Sequence, residues 1–382
     1  MEKIREKHFL YMIAYISLMI QFFICKMSTY SSFSFIKLLS IVLQITAIFS
    51  IAIKVYFDKH SIKSLLTMIS LGLILVVAFF NSGLIHIFYF ILLVLGAKDI
   101  NLNWVLKREI KMRAFLIFFI IVSSLLGIID NYEMVRNSKD IVVRYALGFN
   151  HANTLGQVVL SYISLKYYLN SNRRKIYNII ISIICMILIN IIADSRTSVI
   201  CILLIILLQI LTNNTNLDRI KKIYKFTTPI IPLWAITSII LSIKVDVKNS
   251  FLYTLDKLVS HRFMQAQYVI EQYGFSILGQ KIKFISSRES NLYGVKSMIL
   301  DNAYLQLGIC MGIIILILVC IAFILLLKNQ ICNKNYRLVN LIIIYSFLGM
   351  SENAFNYVFL NFTYLFLSTI IYKNTKQYIK YT

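Results

Sequence analysis

The chain has 382 residues, 59% of them hydrophobic and only 14% charged, with 39 Lys+Arg against 16 Asp+Glu. Soluble domains are about 45–50% apolar and about 25% charged, so composition excludes an ordinary soluble domain. Apolar runs close to ~20 residues long match the hydrocarbon thickness of a bilayer, and their lack of alternation excludes a membrane β-barrel.

In chain order, the apolar segments predict twelve spans: 9–25, 34–53, 65–82, 84–97, 114–130, 152–169, 177–193, 197–212, 227–243, 301–327, 338–350 and 356–372. Met1–His8 is charged and precedes an apolar run, but no small-residue cleavage site follows, so the first run reads as a span and not a cleaved leader. Pro229 and Pro232 fall in the ninth span, where proline breaks or kinks a helix. The expected fold is an all-α polytopic membrane protein, a single integral domain over 1–382.

Charge gives the orientation. With both termini cytoplasmic, 25 of the 39 Lys+Arg fall in inner segments, including Lys54–Lys63, Lys98–Arg113 and Lys328–Arg337. Short positive loops mark the inner side of a membrane. The net charge of +23 then reports orientation and anionic-lipid contact, not a nucleic-acid partner. Two outer segments are long: 131–150 and 245–300. In the second, Phe251–Tyr273 carries apolar residues at helical spacing and reads as an amphipathic helix on the outer surface. The six cysteines lie at unrelated spacings in apolar runs, with neither a disulfide framework nor a zinc pattern.

Ionisable residues at membrane depth are costly and point to function. They gather at the expected outer ends of helices. Arg144, His151 and Asn153 enter the sixth span, with Gly148 and Gly156 allowing close approach. Asp194 and Arg196 join the seventh and eighth spans. Arg262 follows Ser260-His261, Asp301-Asn302 with Tyr304 opens the tenth span, and Glu352 sits between the last two. A plainer role stands beside each: hydrogen bonding for His151, a salt bridge to Asp194 or snorkelling for Arg196, helix capping for Asp301.

Arginine stays charged and grips phosphate through two parallel hydrogen bonds. Three arginines with two carboxylates on the outer side suit a diphosphate headgroup, beside which a carboxylate or His removes a proton from a sugar hydroxyl. There is no Asp-x-Asp pair, His/Cys cluster or Gly-rich phosphate loop, so no metal site and no cofactor are expected.

The segments RYALGFNHANTLGQ, ADSRTS, SHRFMQAQYVIEQYGFSILGQ and LDNAYLQLGICMG, together with LLVLGAKDINLNWVLK, resemble the Wzy-type polysaccharide polymerases, within the group that includes the O-antigen ligases. The resemblance covers roughly residues 90–360. It implies a metal-independent, inverting glycosyltransferase of the bacterial plasma membrane. Such an enzyme joins undecaprenyl-diphosphate-linked oligosaccharide units on the outer face, in capsule, O-antigen or exopolysaccharide synthesis. Carried over by position, Arg196 and Arg262 bind the leaving diphosphate with Arg144 assisting, and His151, Asn153, Asn302 and Tyr304 line the pocket. Asp301 is the first choice of base, followed by His151 and Glu352. The related ligases have His where Asp301 stands, so this chain would use a carboxylate for that step. A chain-length regulator and a flippase are the expected protein partners. Two other readings compete. A lipid-linked oligosaccharide flippase also has about a dozen spans. A membrane acyltransferase needs a supported catalytic His, which His60 and His86 do not offer.

Overall fold

The computed structural model describes residues 2–137, 141–169, 175–211, 217–248, 250–286, 290 and 294–372. The expected inner tail 373–382 lies outside the described residues. So do the loop positions 170–174 and 212–216 and parts of the two long outer segments, at 138–140, 249, 287–289 and 291–293. Apart from one hairpin, the named elements are helical. The chain forms two compact units: 1–61 with 92–215 and 362–382, and 62–91 with 216–361.

Among the described residues, five helices are long and apolar enough to cross a membrane: Arg5–Lys26, Ser34–Phe57, Ile62–Ser82, Ile176–Ala193 and Ile313–Cys332. Large apolar side chains stand on their outer faces, among them Leu66, Phe80 and Ile191, each more than 60% exposed. Continuous apolar faces of this kind need an apolar surround, which is compatible with a helical membrane protein. Other expected spans are shorter apolar helices, such as Arg196–Ile210, Ile230–Lys244 and Tyr336–Leu348.

In the first unit, α1 (Glu2–Ile20) runs on through a π-helical turn, Gln21–Lys26. No Gly or Pro interrupts Met1–Lys26. Tyr11, Ala14, Tyr15, Leu18 and Phe22 recur at helical spacing and are buried, and α1 packs along α2 (Ser34–Phe57). α3 (Ile62–Ser82) and α4 (Ile85–Phe90) follow in the chain and belong to the second unit. α5 (Leu102–Leu125) starts where Asn101 Oδ1 accepts from Trp104 N at 3.1 Å, an N-cap.

α5 corrects one expectation. Glu109 and Arg113, assigned by sequence to a cytoplasmic loop, lie inside the helix and are fully buried. They pair one turn apart, and Arg113 Nη1 also donates to Ser161. Two buried charges that neutralise each other can enter a helix bundle where one alone cannot. Strands β1 (Glu133–Asn137) and β2 (Ile141–Tyr145) pair antiparallel, with Met134 opposite Arg144. α6 (Ala152–Leu169), α7 (Lys175–Ala193) and α8 (Arg196–Leu211) pack on one another, and α6 also on α5.

The second unit continues with α9 (Leu217–Phe226) and α10 (Ile230–Lys244). Pro229 is the N-cap of α10 and Pro232 lies in its first turn. First-turn amides have no partner inside a helix, so neither proline disturbs it. The expected single helix over Phe251–Tyr273 is instead two: α11 (Ser250–Leu258) and α12 (Arg262–Tyr273). Ser260 and His261 between them have left-handed φ of 60° and 59°. Asp256 compensates that strain. Its carboxylate accepts from Phe263 N at 2.8 Å, and its carbonyl accepts from His261 N at 2.8 Å.

The expected tenth span is also interrupted. α13 (Ala303–Leu305) continues as a π-helical turn, Gln306–Met311, then breaks at Gly312 before α14 (Ile313–Cys332). Gly312 has φ 108°, and a Cβ there would collide with Ile277 and Gly279 backbone. The segment that comes so close satisfies the broken ladder. Ile313 N donates to Ser276 O at 2.8 Å, and Gln280 N donates to Cys310 O at 3.0 Å. After α15 (Tyr336–Leu348) the expected span 356–372 is not one helix. It resolves into 3-10 turns at Asn353–Asn356 and Phe362–Leu367 and one short helix, α16 (Ser368–Ile371). Buried asparagines explain the irregular stretch in the second unit. Asn356 Nδ2 bonds Ala303 O and Gln306, and Asn361 Nδ2 bonds Phe355 O at 3.0 Å. Such side chains compete with helical pairing.

Candidate functional site

The expected site residues fall in two groups, one in each unit. In the first unit, the stretch from Arg144 to Asn150 is pinned to the end of the first helix. Thr29 N donates to Gly148 O at 2.9 Å and Asn150 N to Met27 O at 2.9 Å. The turn needs left-handed backbone at Leu147 and Gly148. Arg144 is buried. Its Nε donates to Ala193 O at 2.7 Å, and its Nη2 donates to Asn153 Oδ1. One guanidinium thus ties the hairpin to the start of α6 and the end of α7.

His151 is exposed and acts as a cap: its Nδ1 accepts from Asn153 N at 3.0 Å. An accepting Nδ1 leaves the neutral ring's proton on Nε2. Arg196 opens α8, with Nε 3.4 Å from Asp194 Oδ1 and a side chain 55% exposed. The expected Asp194 contact is present, but it is long and solvated, and surface pairs of this kind contribute little. The Arg196 guanidinium is therefore available to an anion.

Gly156 brings the two motifs together. A Cβ on it would overlap Ser195 Oγ and Cβ and lie 3.0 Å from Ser198 Oγ. Ser195 is buried and bonds Ser198 at 3.1 Å, so it has little room to yield. Gly156→Ala is expected to destabilise the purified protein by about 1–3 kcal/mol, the usual cost of overpacking. Adding Ser195→Gly should recover most of the loss in a melting experiment. An unchanged midpoint in the single variant would disprove this contact.

The second group is built around Arg262, the first residue of α12. Its Nη1 lies 3.1 Å from Asp301 Oδ2 and its Nη2 2.9 Å from Glu352 Oε1. Nη1 also donates to the Ser351 carbonyl. Burial opposes the Arg262 charge, but Glu352 and then Asp301 outweigh it, so its pKa is raised. Glu352 is enclosed, with 4% of its side chain exposed, while Asp301 keeps 29%. One guanidinium thus faces two carboxylates, and Asp301 is the more exposed of the two.

Asp301 does not cap the following helix. Asn302 does: its Oδ1 accepts from Tyr304 N at 3.0 Å and Leu305 N at 3.1 Å, while Nδ2 donates to Met350 O at 2.7 Å. The cap leaves the Asp301 carboxylate to Arg262. Tyr304 is fully buried, with its hydroxyl on Ser346 O at 2.7 Å. Asn302 and Tyr304 thus shape the site through contacts within the protein. Ala303 N donates to Gly349 O at 2.8 Å, and a Cβ on Gly349 would press on Phe355. The turn 349–352 is thereby seated against the start of α13.

Sequence reasoning missed Asp256, which sets the start of α12 and so the position of Arg262. The signal for it is weak: an acid six residues before the arginine, at a helix boundary that periodicity did not reveal. The carbonyls of Ser351 and Met350 were also beyond reach, because backbone acceptors carry no residue signature. No family model, curated protein or solved structure matches the chain.

Proposed function

We propose that this chain is a polysaccharide polymerase of the bacterial plasma membrane. It would transfer a growing glycan from undecaprenyl diphosphate to the next lipid-linked unit on the outer face. In this reading the twelve apolar segments are spans and both termini are cytoplasmic. The observation that carries it is the Arg262–Asp301–Glu352 cluster: a reachable carboxylate fixed by a buried guanidinium that a second carboxylate also holds.

Asp301 is the base that takes the proton from the attacking sugar hydroxyl. Arg262 orients it, and Glu352 compensates the Arg262 charge. Arg262 is already engaged by two carboxylates, so only part of its charge remains for the leaving diphosphate. An electrostatic grip on a developing phosphate charge is a large term in such transfers.

The break at Gly312 gives the flippase reading one point in its favour, because transporters often use discontinuous helices at their substrate sites. The glycan profile of a deletion strain separates the two. A ladder collapsing to single units displayed outside, restored by the intact gene, is expected for the polymerase. Units trapped inside indicate flipping, and an unchanged ladder ends both readings.

A further inference from the structure

We infer that a hollow beside the start of α12 is a carbohydrate-binding subsite that takes a pyranose ring of the acceptor glycan. The hollow measures about 340 Å³ and is lined by Tyr253, His261, Gln265, Tyr268, Lys296 and Ser297, with Val247 and Met264 completing the wall. That volume is at the small end of the roughly 300–1,000 Å³ range of small-molecule sites. All of these residues belong to the second unit.

The wall chemistry selects the ligand class. A sugar ring has an apolar C–H face and a rim of hydroxyls. Tyrosine offers an apolar ring and a polar tip in one side chain. Tyr253 and Tyr268 are half-buried. The Tyr253 and His261 rings lie 5.5 Å apart at 39°, which makes a continuous aromatic patch. Around it stand a carboxamide (Gln265), an ammonium (Lys296) and a hydroxyl (Ser297), so donors and acceptors for sugar hydroxyls are both present. Lys296 Nζ sits 3.9 Å from the Tyr268 ring centre, a cation–π contact that holds the ammonium at the rim. His261 Nδ1 lies 3.2 Å from buried Asp256 Oδ2, so Nε2 is the ring nitrogen offered to a ligand. A lipid chain would want none of these polar groups, and a phosphate would want more than one lysine.

Position links the hollow to the cluster. His261 precedes Arg262 directly, and Gln265 and Tyr268 follow it on the same helix. Lys296 and Ser297 lie on the segment that runs into Asp301. The strained turn at Ser260-His261, fixed by Asp256, therefore sets both. That the bound sugar is the acceptor rests on the polymerase reading; that the hollow binds sugar does not.

The test uses the full chain in detergent or nanodiscs. Released repeat-unit oligosaccharide of the host, free hexoses, free N-acetylhexosamines and inorganic phosphate are titrated separately by calorimetry or saturation-transfer NMR. A saccharide should bind, and Tyr268→Ala should weaken it about tenfold, the scale of one aromatic contact. Gln265→Ala, which leaves the aromatic wall intact, should also weaken it. Absence of saccharide binding, binding by both variants as tight as by the unaltered chain, or binding of inorganic phosphate alone would overturn the subsite. The glycan ladder is read in parallel. A ladder that depends on the gene but not on Tyr268 or Gln265, with unaltered sugar titrations, removes the subsite and leaves the polymerase. Saccharide binding lost in Tyr268→Ala, in a chain whose deletion leaves the ladder intact, keeps the subsite and removes the polymerase.

Discussion

Asp301→Asn is expected to collapse the glycan ladder to single units while the protein accumulates normally. The substitution keeps the size of the side chain and an oxygen for Arg262 to bond, so the 3.1 Å contact survives in form. What it removes is the ability to accept a proton. General bases contribute about 10²–10⁴-fold to rate, and a loss of that size leaves few linkages formed. Glu352→Gln makes the comparison informative. Glu352 is enclosed and Asp301 partly open, so neutralising Glu352 should shift stability more than chemistry. Arg262→Lys keeps the charge but loses the fork that spans both carboxylates, and should fall between the two. The readout is the ladder from a deletion strain carrying each variant, normalised to membrane protein level. A full ladder from Asp301→Asn would take that residue out of the mechanism. A collapse with Glu352→Gln alone would pass the base role to Glu352.

The apolar framework was legible in the sequence because it follows from transfer free energy, residue by residue. Ser34–Phe57 and Ile62–Ser82 appear as helices close to where periodicity and charge put them. The site segments were legible as places where polar residues interrupt apolar runs, and Arg262, Asp301 and Glu352 do meet. Breaks in helices were not legible, since they depend on backbone partners distant in the chain. Gly312 alone reads as a tolerated helix glycine. It becomes a break because the 276–280 segment bonds across it. Ser260 and His261 carry no breaker signal, and their left-handed turn exists because Asp256 lies one helix back. The 3-10 turn at Asn353–Asn356 likewise follows from where the Asn356 and Asn361 amides bond, which composition cannot report.

The charge count misled at Arg113, and that position carries the largest stability effect expected here. Arginine in a predicted loop contributes to orientation, whereas Arg113 inside α5 is fully buried against Glu109 and Ser161. Its guanidinium also lies 5.6 Å from the Phe23 ring centre, so the pair sits where α5 approaches the end of the first helix. Arg113→Met removes the cation and leaves the Glu109 carboxylate uncompensated. Breaking a buried pair in this way costs about 3–5 kcal/mol, a large share of a typical folding free energy. The paired variant Glu109→Leu/Arg113→Met removes both charges and replaces them with apolar side chains of similar bulk. Apolar replacement of a whole buried pair is often neutral or stabilising, so the double variant should recover most of the loss. Thermal midpoints of detergent-solubilised protein, read by size-exclusion recovery after heating, give the comparison. Equal midpoints for wild type and Arg113→Met would mean that the arginine reaches water. A double variant as unstable as the single one would mean that the ion pair, and not its uncompensated half, holds these helices together.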